Sequence, residues 1–158
     1  MKNMIRFQLI SDYLDELQTI EGLPEITYIK KQEFYQEVLN SKTTNWIDIY
    51  PQNEGTNPIG FLIIGYPPNC HPNANYYIEE AYIQPKYRCQ HYMTSTATRF
   101  IKAHPGIYCL FILNNNQIAK HFWFSIFTKL GYVPCPLSDV GAGDEHCTQY
   151  GFQPIASE

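Results

Sequence analysis

Seven consecutive apolar residues, Ile107 to Leu113 (IYCLFIL), are too few to cross a membrane as a helix and leave no polar face. Such a run fits a strand buried on both sides, as a parallel pairing inside a layered sheet requires. Its neighbours tighten the constraint. Tyr76 to Ile83 (YYIEEAYI) reads as a strand ended by Gln84-Pro85. Tyr92 to Ala103 carries Met93, Ala97, Phe100 and Ile101 at helical spacing, and His104-Pro105-Gly106 ends it. After the apolar run, Asn115 or Asn116 caps a helix through Leu130. Its stripe is Ile118/Ala119, Phe122/Trp123, Ile126/Phe127 and Leu130, and Gly131 suits the position after it. Strand, helix, strand, helix over residues 76–130 makes one crossover unit, which is right-handed as a rule.

The flanks supply antiparallel strands. Trp46 to Tyr50 alternates, Ile59 to Ile64 is a buried strand, and the turn-rich PQNEGTNP joins them as a hairpin. Met4 to Leu9 (MIRFQL) alternates and reads as a first strand. Ser11-Asp12 then caps a short helix that Gly22 and Pro24 stop. A second helix spans Lys31 to Leu39. Tyr66 to Asn75 is an irregular loop, VGAGDE a turn, and Cys147 to Phe152 a last strand. The expected order is β-α-α-β-β-β-α-β-α-β-β. This is an α+β (mixed α/β) fold with about six to seven strands and about four helices, in one domain over residues 1–158.

Bulk properties narrow the function classes. At 158 residues the chain can bury one sizeable core. A net charge of −4 and no Lys/Arg cluster argue against nucleic acid, which needs a basic surface. No apolar run approaches the roughly 18 residues of a membrane helix, and the N-terminus does not read as a signal peptide. Five widely spaced cysteines without CxxC point to neither a disulfide framework nor zinc, so no metal is expected and the cytoplasm is the expected compartment.

The order and three motifs resemble the GNAT superfamily, folds that pass an acyl group from coenzyme A to an amine. Tyr77 to Arg88 (YIEEAYIQPKYR) is similar to that family's central strand and its Pro-x-x-Arg exit. Asn116, Ala119, Phe122 and Trp123 are similar to its N-x-x-A-x-x-F-[YW] segment, and Lys129-Leu130-Gly131-Tyr132 to its K-L-G-[FY] ending. The resemblance implies acetyl-CoA as co-substrate. The main chain of Ala81, Tyr82 and Ile83 would pair with the pantetheine arm. The loop and helix start at Arg88, Cys89, Gln90, His91, Tyr92, Met93 and Thr94 would hold the pyrophosphate, with Asn116 and Ala119 nearby. His91 and Met93 stand where the family keeps small residues.

Transfer to an amine needs a base, oxyanion donors and an acid for the thiolate. Glu79 and Glu80 lie mid-strand. Neighbouring strand residues face opposite sides, so one at most should face the acceptor. Glu80, which shares a face with Tyr82, is the expected base. The family's acidic tyrosine falls on Phe127 or Trp123, according to the alignment, and Tyr132 or His121 are the substitutes. A Cys70-His71 thiol enzyme and a metal site at Asp144, Glu145 and His146 are weaker readings. The expected activity is an acetyl-CoA-dependent N-acetyltransferase acting on a small-molecule or peptide/protein amine, as monomer or homodimer. The alternative is a catalytically inactive GNAT-fold domain that binds a ligand or partner.

Overall fold

The computed structural model describes residues 1–22, 24–52, 55, 57–68, 71–135, 137 and 146–156. Ten elements follow in order: α1 (Lys2–Glu21), α2 (Tyr28–Asn40), β1 (Thr44–Ile49), β2 (Gly60–Gly65), β3 (Tyr76–Ile83), α3 (Tyr92–Ala103), β4 (Tyr108–Leu113), α4 (Gln117–Lys129), β5 (Tyr132–Cys135) and β6 (Cys147–Pro154). A 3-10 turn at Pro85–Tyr87 sits between β3 and α3. One six-stranded mixed sheet runs β1-β2-β3-β4-β6-β5. Among the described residues only β3 and β4 pair in parallel, and α3 makes the crossover between them.

The expected first strand is helix. The stripe that decides it is Leu9, Ile10, Tyr13 and Leu14, all buried, with Ile5 and Leu17 packed beside them. That spacing is helical, and the short alternating stretch from Met4 to Leu9 is too narrow a window to reveal it. Ser11 and Asp12 are therefore inside α1, not at its start. Ser11 accepts a hydrogen bond from Lys31 Nζ (3.0 Å), and Asp12 accepts one from Gln8 (2.8 Å). Gly22 does end the helix, in the left-handed conformation with φ 68°.

Two apolar cores lie on opposite faces of the sheet. α1 and α2 cover one face, packing on Phe61, Ile63, Tyr82 and Trp46. α3 and α4 cover the other, on Leu62, Ile64, Ile78, Tyr108, Leu110 and Ile112. β4 is not buried on both faces throughout: Phe111 is 38% exposed, because the helices of its face pack on β1, β2 and β3 instead. One carboxylate pins α1 to the sheet. Asp48 of β1, its side chain 6% exposed, accepts two hydrogen bonds from Arg6 (2.9 and 2.7 Å) and one from Trp46 Nε1 (2.7 Å), and Lys2 lies 3.0 Å away. Burial opposes its ionisation, but the Arg6, Lys2 and Trp46 hydrogen bonds win and hold its carboxyl below the usual range.

Candidate functional site

The site arises where two parallel strands part. β3 and β4 pair only at Tyr76↔Tyr108, Tyr77↔Cys109 and Ile78↔Leu110. β3 continues to Ile83 against β2, so the C-terminal half of β3 has lost its neighbour on one side. The parting begins at a β-bulge. Ile63 faces Glu80 and Ile64 faces Ile78, which leaves Glu79 as the extra residue. Bulges bend a strand and increase its twist, and this one falls where the pairing of β3 with β4 ends.

The opened edge offers backbone groups. Gln84 N–H donates to Ile59 C=O at 2.9 Å, toward β2. Backbone groups alternate sides along a strand, so those of Tyr82 face β2 and those of Ala81 and Ile83 face the gap. Ile83 C=O takes Arg88 Nε at 2.8 Å. Ala81 N–H and C=O and Ile83 N–H have no strand partner among the described residues. They border a cleft of about 460 Å³. Ala81, Tyr82 and Ile83 form one wall, Tyr13, Glu16, Leu17 and Ile20 of α1 a second, and Asn116, Ala119, Phe122 and Trp123 a third.

The floor at one end is the start of α3. Its first-turn N–H groups, on Tyr92, Met93 and Thr94, precede the first intrahelical bond, from Ser95 N–H to His91 C=O (2.9 Å). Among the described residues no side chain caps them, and no acid stands in the first turn. Such amides and the helix dipole favour an anion. The loop before them is strained: Cys89 and His91 have φ 61° and 65°, a region that costs a residue with a Cβ about 1–2 kcal/mol. The loop therefore keeps a glycine-type backbone at His91 without the glycine. His91→Gly is expected to relieve strain near the helix start and raise the melting temperature by about 2–4 °C, corresponding to about 1 kcal/mol. Thermal denaturation checks it, and an unchanged or lower midpoint refutes strain at this position.

The bulge changes the reading of the two carboxylates. Strict alternation would put Glu79 and Glu80 on opposite faces. Glu79 instead fills the space that a side chain at Gly65 would take and is hydrogen-bonded with Thr44, on the face of α1 and α2. Glu80 accepts a hydrogen bond from Tyr13 of α1, so it faces the same way. Burial pushes the Glu80 carboxyl up to about 8, with no cationic partner to oppose it among the described residues. Burial also raises Glu79, and the Thr44 hydrogen bond partly offsets this. Neither carboxylate lines the 460 Å³ cleft itself; Tyr13, which touches Glu80, does.

Other expected site residues fall as follows. Arg88, Cys89, His91, Tyr92, Met93 and Thr94 line the cleft, as do Asn116 and Ala119, while Gln90 lies on the far side of the loop, in a second hollow beside α3. Asn116 caps α4 through its side chain, accepting from Ala119 N–H at 3.0 Å. Tyr132 is not brought to the cleft. It is 7% exposed, packed on Tyr108 and Phe127, with Gly106 as its backbone hydrogen-bond partner, at the end of β4 where the strands are still joined. Phe127 is fully buried and Trp123 lines the cleft, so the alignment from Asn116 is the one that reaches it. His121 is exposed. Cys70, Asp144 and Glu145 lie outside the described residues. Among the described residues no group of His, Cys, Asp and Glu is placed to hold a metal, and no helix is long and apolar enough to cross a membrane. Sequence reading places Tyr13, Glu16, Leu17 and Ile20 on the helix expected after Ser11-Asp12 but does not assign them to the cleft. Their spacing of three to four is the available signal.

No family model matches the chain, and no curated protein matches it by sequence. Solved structures do match by shape. An acetyltransferase from Thermus thermophilus superposes with a TM-score of 0.68 at 14% identity, covering 98% of this chain and 91% of that one. An acetyltransferase of the GNAT family from Staphylococcus aureus gives 0.59 at 11% identity, covering 93% and 91%. A chain of the NatC complex bound to Gag peptide and CoA gives 0.56 at 16% identity, covering 98% and 91%. The fold is that of the GNAT superfamily.

Proposed function

We propose that this protein is an acetyl-CoA-dependent N-acetyltransferase, and that its acceptor is an amine of a small molecule or of a peptide or protein. The observation that carries the proposal is the parting of β3 from β4. It leaves Ala81 and Ile83 backbone groups on a cleft that ends at the uncapped amides of α3. An extended pantetheine arm can add to such an edge as a strand does, with its pyrophosphate at the helix start. That acetyltransferases share this fold, as does a chain of the NatC complex bound to CoA, supports the same reading.

In this reading the neutral amine attacks the thioester carbonyl carbon. The C–N bond forms, the C–S bond breaks, and the amine proton passes to Glu80 by way of Tyr13, which lines the cleft and donates to that carboxylate. A carboxyl near 8 suits this work, because a useful base titrates close to the working pH. It also suits the return of the proton, since an alkyl thiol titrates at about 8.5. The thiolate can then recover the proton from Glu80 through water without a tyrosine at Trp123. The chain acts in this proposal as one domain in the cytoplasm.

Thermal denaturation with acetyl-CoA, free CoA and no ligand tests the cofactor step. At 100 times Kd the native state gains about 2.7 kcal/mol, so a rise of several degrees is expected with either thiol form. No shift with any acyl-CoA at millimolar concentration overturns the enzyme reading. A shift without thiol release across an amine panel would favour the inactive ligand-binding alternative.

A further inference from the structure

Arg88 is the cation beside the anion seat, and it is already engaged. Its Nε donates to Ile83 C=O at 2.8 Å, and its guanidinium lies over the Tyr82 ring at 5.4 Å. These two contacts fix where the planar group sits. Its two terminal nitrogens reach across the cleft to α1 and bind the carboxylate of Glu16 at 2.9 and 2.6 Å, one oxygen each. Such a fork takes the two oxygens of a phosphate in the same way. Glu16 and Arg88 both line the cleft that ends at the amides of Tyr92, Met93 and Thr94. The ion pair is solvent-accessible, so an entering anion can reach and exchange it.

We propose that Glu16 is a built-in anion that stands in for the pyrophosphate, clasping Arg88 across the cleft until the phosphate of the incoming cofactor displaces it. The clasp rests on the acyl-CoA reading above and adds a residue to it. Tyr13 and Glu16 are three apart on α1, hence on one side of the helix. Tyr13 donates to Glu80 and Glu16 accepts from Arg88. One helix thus joins the phosphate end of the cleft to the carboxylate of β3. Displacing Glu16 removes the tie on the cofactor side and leaves the Tyr13 contact in place.

The test compares coenzyme A with pantetheine, which lacks the phosphates, by titration calorimetry on the wild-type protein and on Glu16→Gln. The variant keeps the side chain's shape and loses the competing charge. Coenzyme A is expected to bind about two- to five-fold tighter to the variant, the span that an exposed ion pair covers. Pantetheine affinity should stay the same. Arg88→Gln should weaken coenzyme A alone, and adding Glu16→Gln to it should restore less than in the presence of Arg88. Unchanged or weaker coenzyme A binding by Glu16→Gln overturns the clasp while the acyl-CoA reading stands. Equal tightening of both ligands also overturns it, since that reports a loosened cleft. If the wild-type protein binds neither coenzyme A nor acetyl-CoA, both inferences fall together.

Discussion

Replacing Glu80 with Gln is expected to lower turnover by about 100-fold or more at neutral pH, the usual share of a positioned base, while the KM for acetyl-CoA changes little. The wild-type rate should rise with pH through about 8, where the Glu80 carboxyl ionises, and the variant should lack that limb. Stability gives an independent reading. Burial raises the folded-state value from 4.5 to about 8. Stability from the protonated form is therefore complete below about 4.5 and is lost as pH rises through 8. The amide of Glu80→Gln cannot ionise and still accepts from Tyr13, so the variant should be the more stable protein above pH 8 and near equal to wild type at pH 4. Stability curves that stay parallel across this range would place Glu80 in a solvated position. An unaltered rate with a loss of pH-dependent stability would leave Glu80 as a buried carboxyl only.

How legible this is depends on the range of the interactions. The crossover unit reads well, since β3 and α3 fall where the sequence places them, at Tyr76–Ile83 and Tyr92–Ala103. Turn chemistry and periodicity are local, and Asn116 and Gly131 act where the residue types say they should. α1 is obscured because Met4 to Leu9 fits two periods at once, and only packing on Phe61 and Tyr82 selects the helix. The face of Glu79 is hidden for a subtler reason. A bulge adds one residue to one strand, and nothing in YYIEEAYI marks which. Arg88 is legible as a cation at the helix start, whereas its partner Glu16, 72 residues away on the helix expected before Gly22, is joined to it only by the fold. Tyr132 is reached through the alignment and falls in the core, as its apolar neighbours allow.

Phe127 tests the other half of that alignment. It is fully buried and stacked on Phe152, with ring centroids 4.2 Å apart and planes at 7°. It also touches Tyr108 and Tyr132. Through it α4, which carries Asn116, Ala119 and Trp123 along the cleft, is fastened to β6 and β4. Phe127→Ala removes a ring from a site with little freedom to collapse, and such truncations cost about 3–5 kcal/mol. Against a typical total of about 5–15 kcal/mol, the melting temperature should fall by about 10 °C or more. Phe127→Tyr asks the chemical question. Its added hydroxyl would enter a fully buried ring stack, where a hydroxyl left unpaired costs about 1–3 kcal/mol, so the expected result is lower stability and no gain in turnover. A faster Phe127→Tyr enzyme with an unchanged melting temperature would show that the hydroxyl reaches the leaving thiolate, and would move the acid from Glu80 to the last helix. The ring geometry argues against this, since Phe127 faces β6 and Trp123, one turn earlier, is the residue of that pair on the cleft.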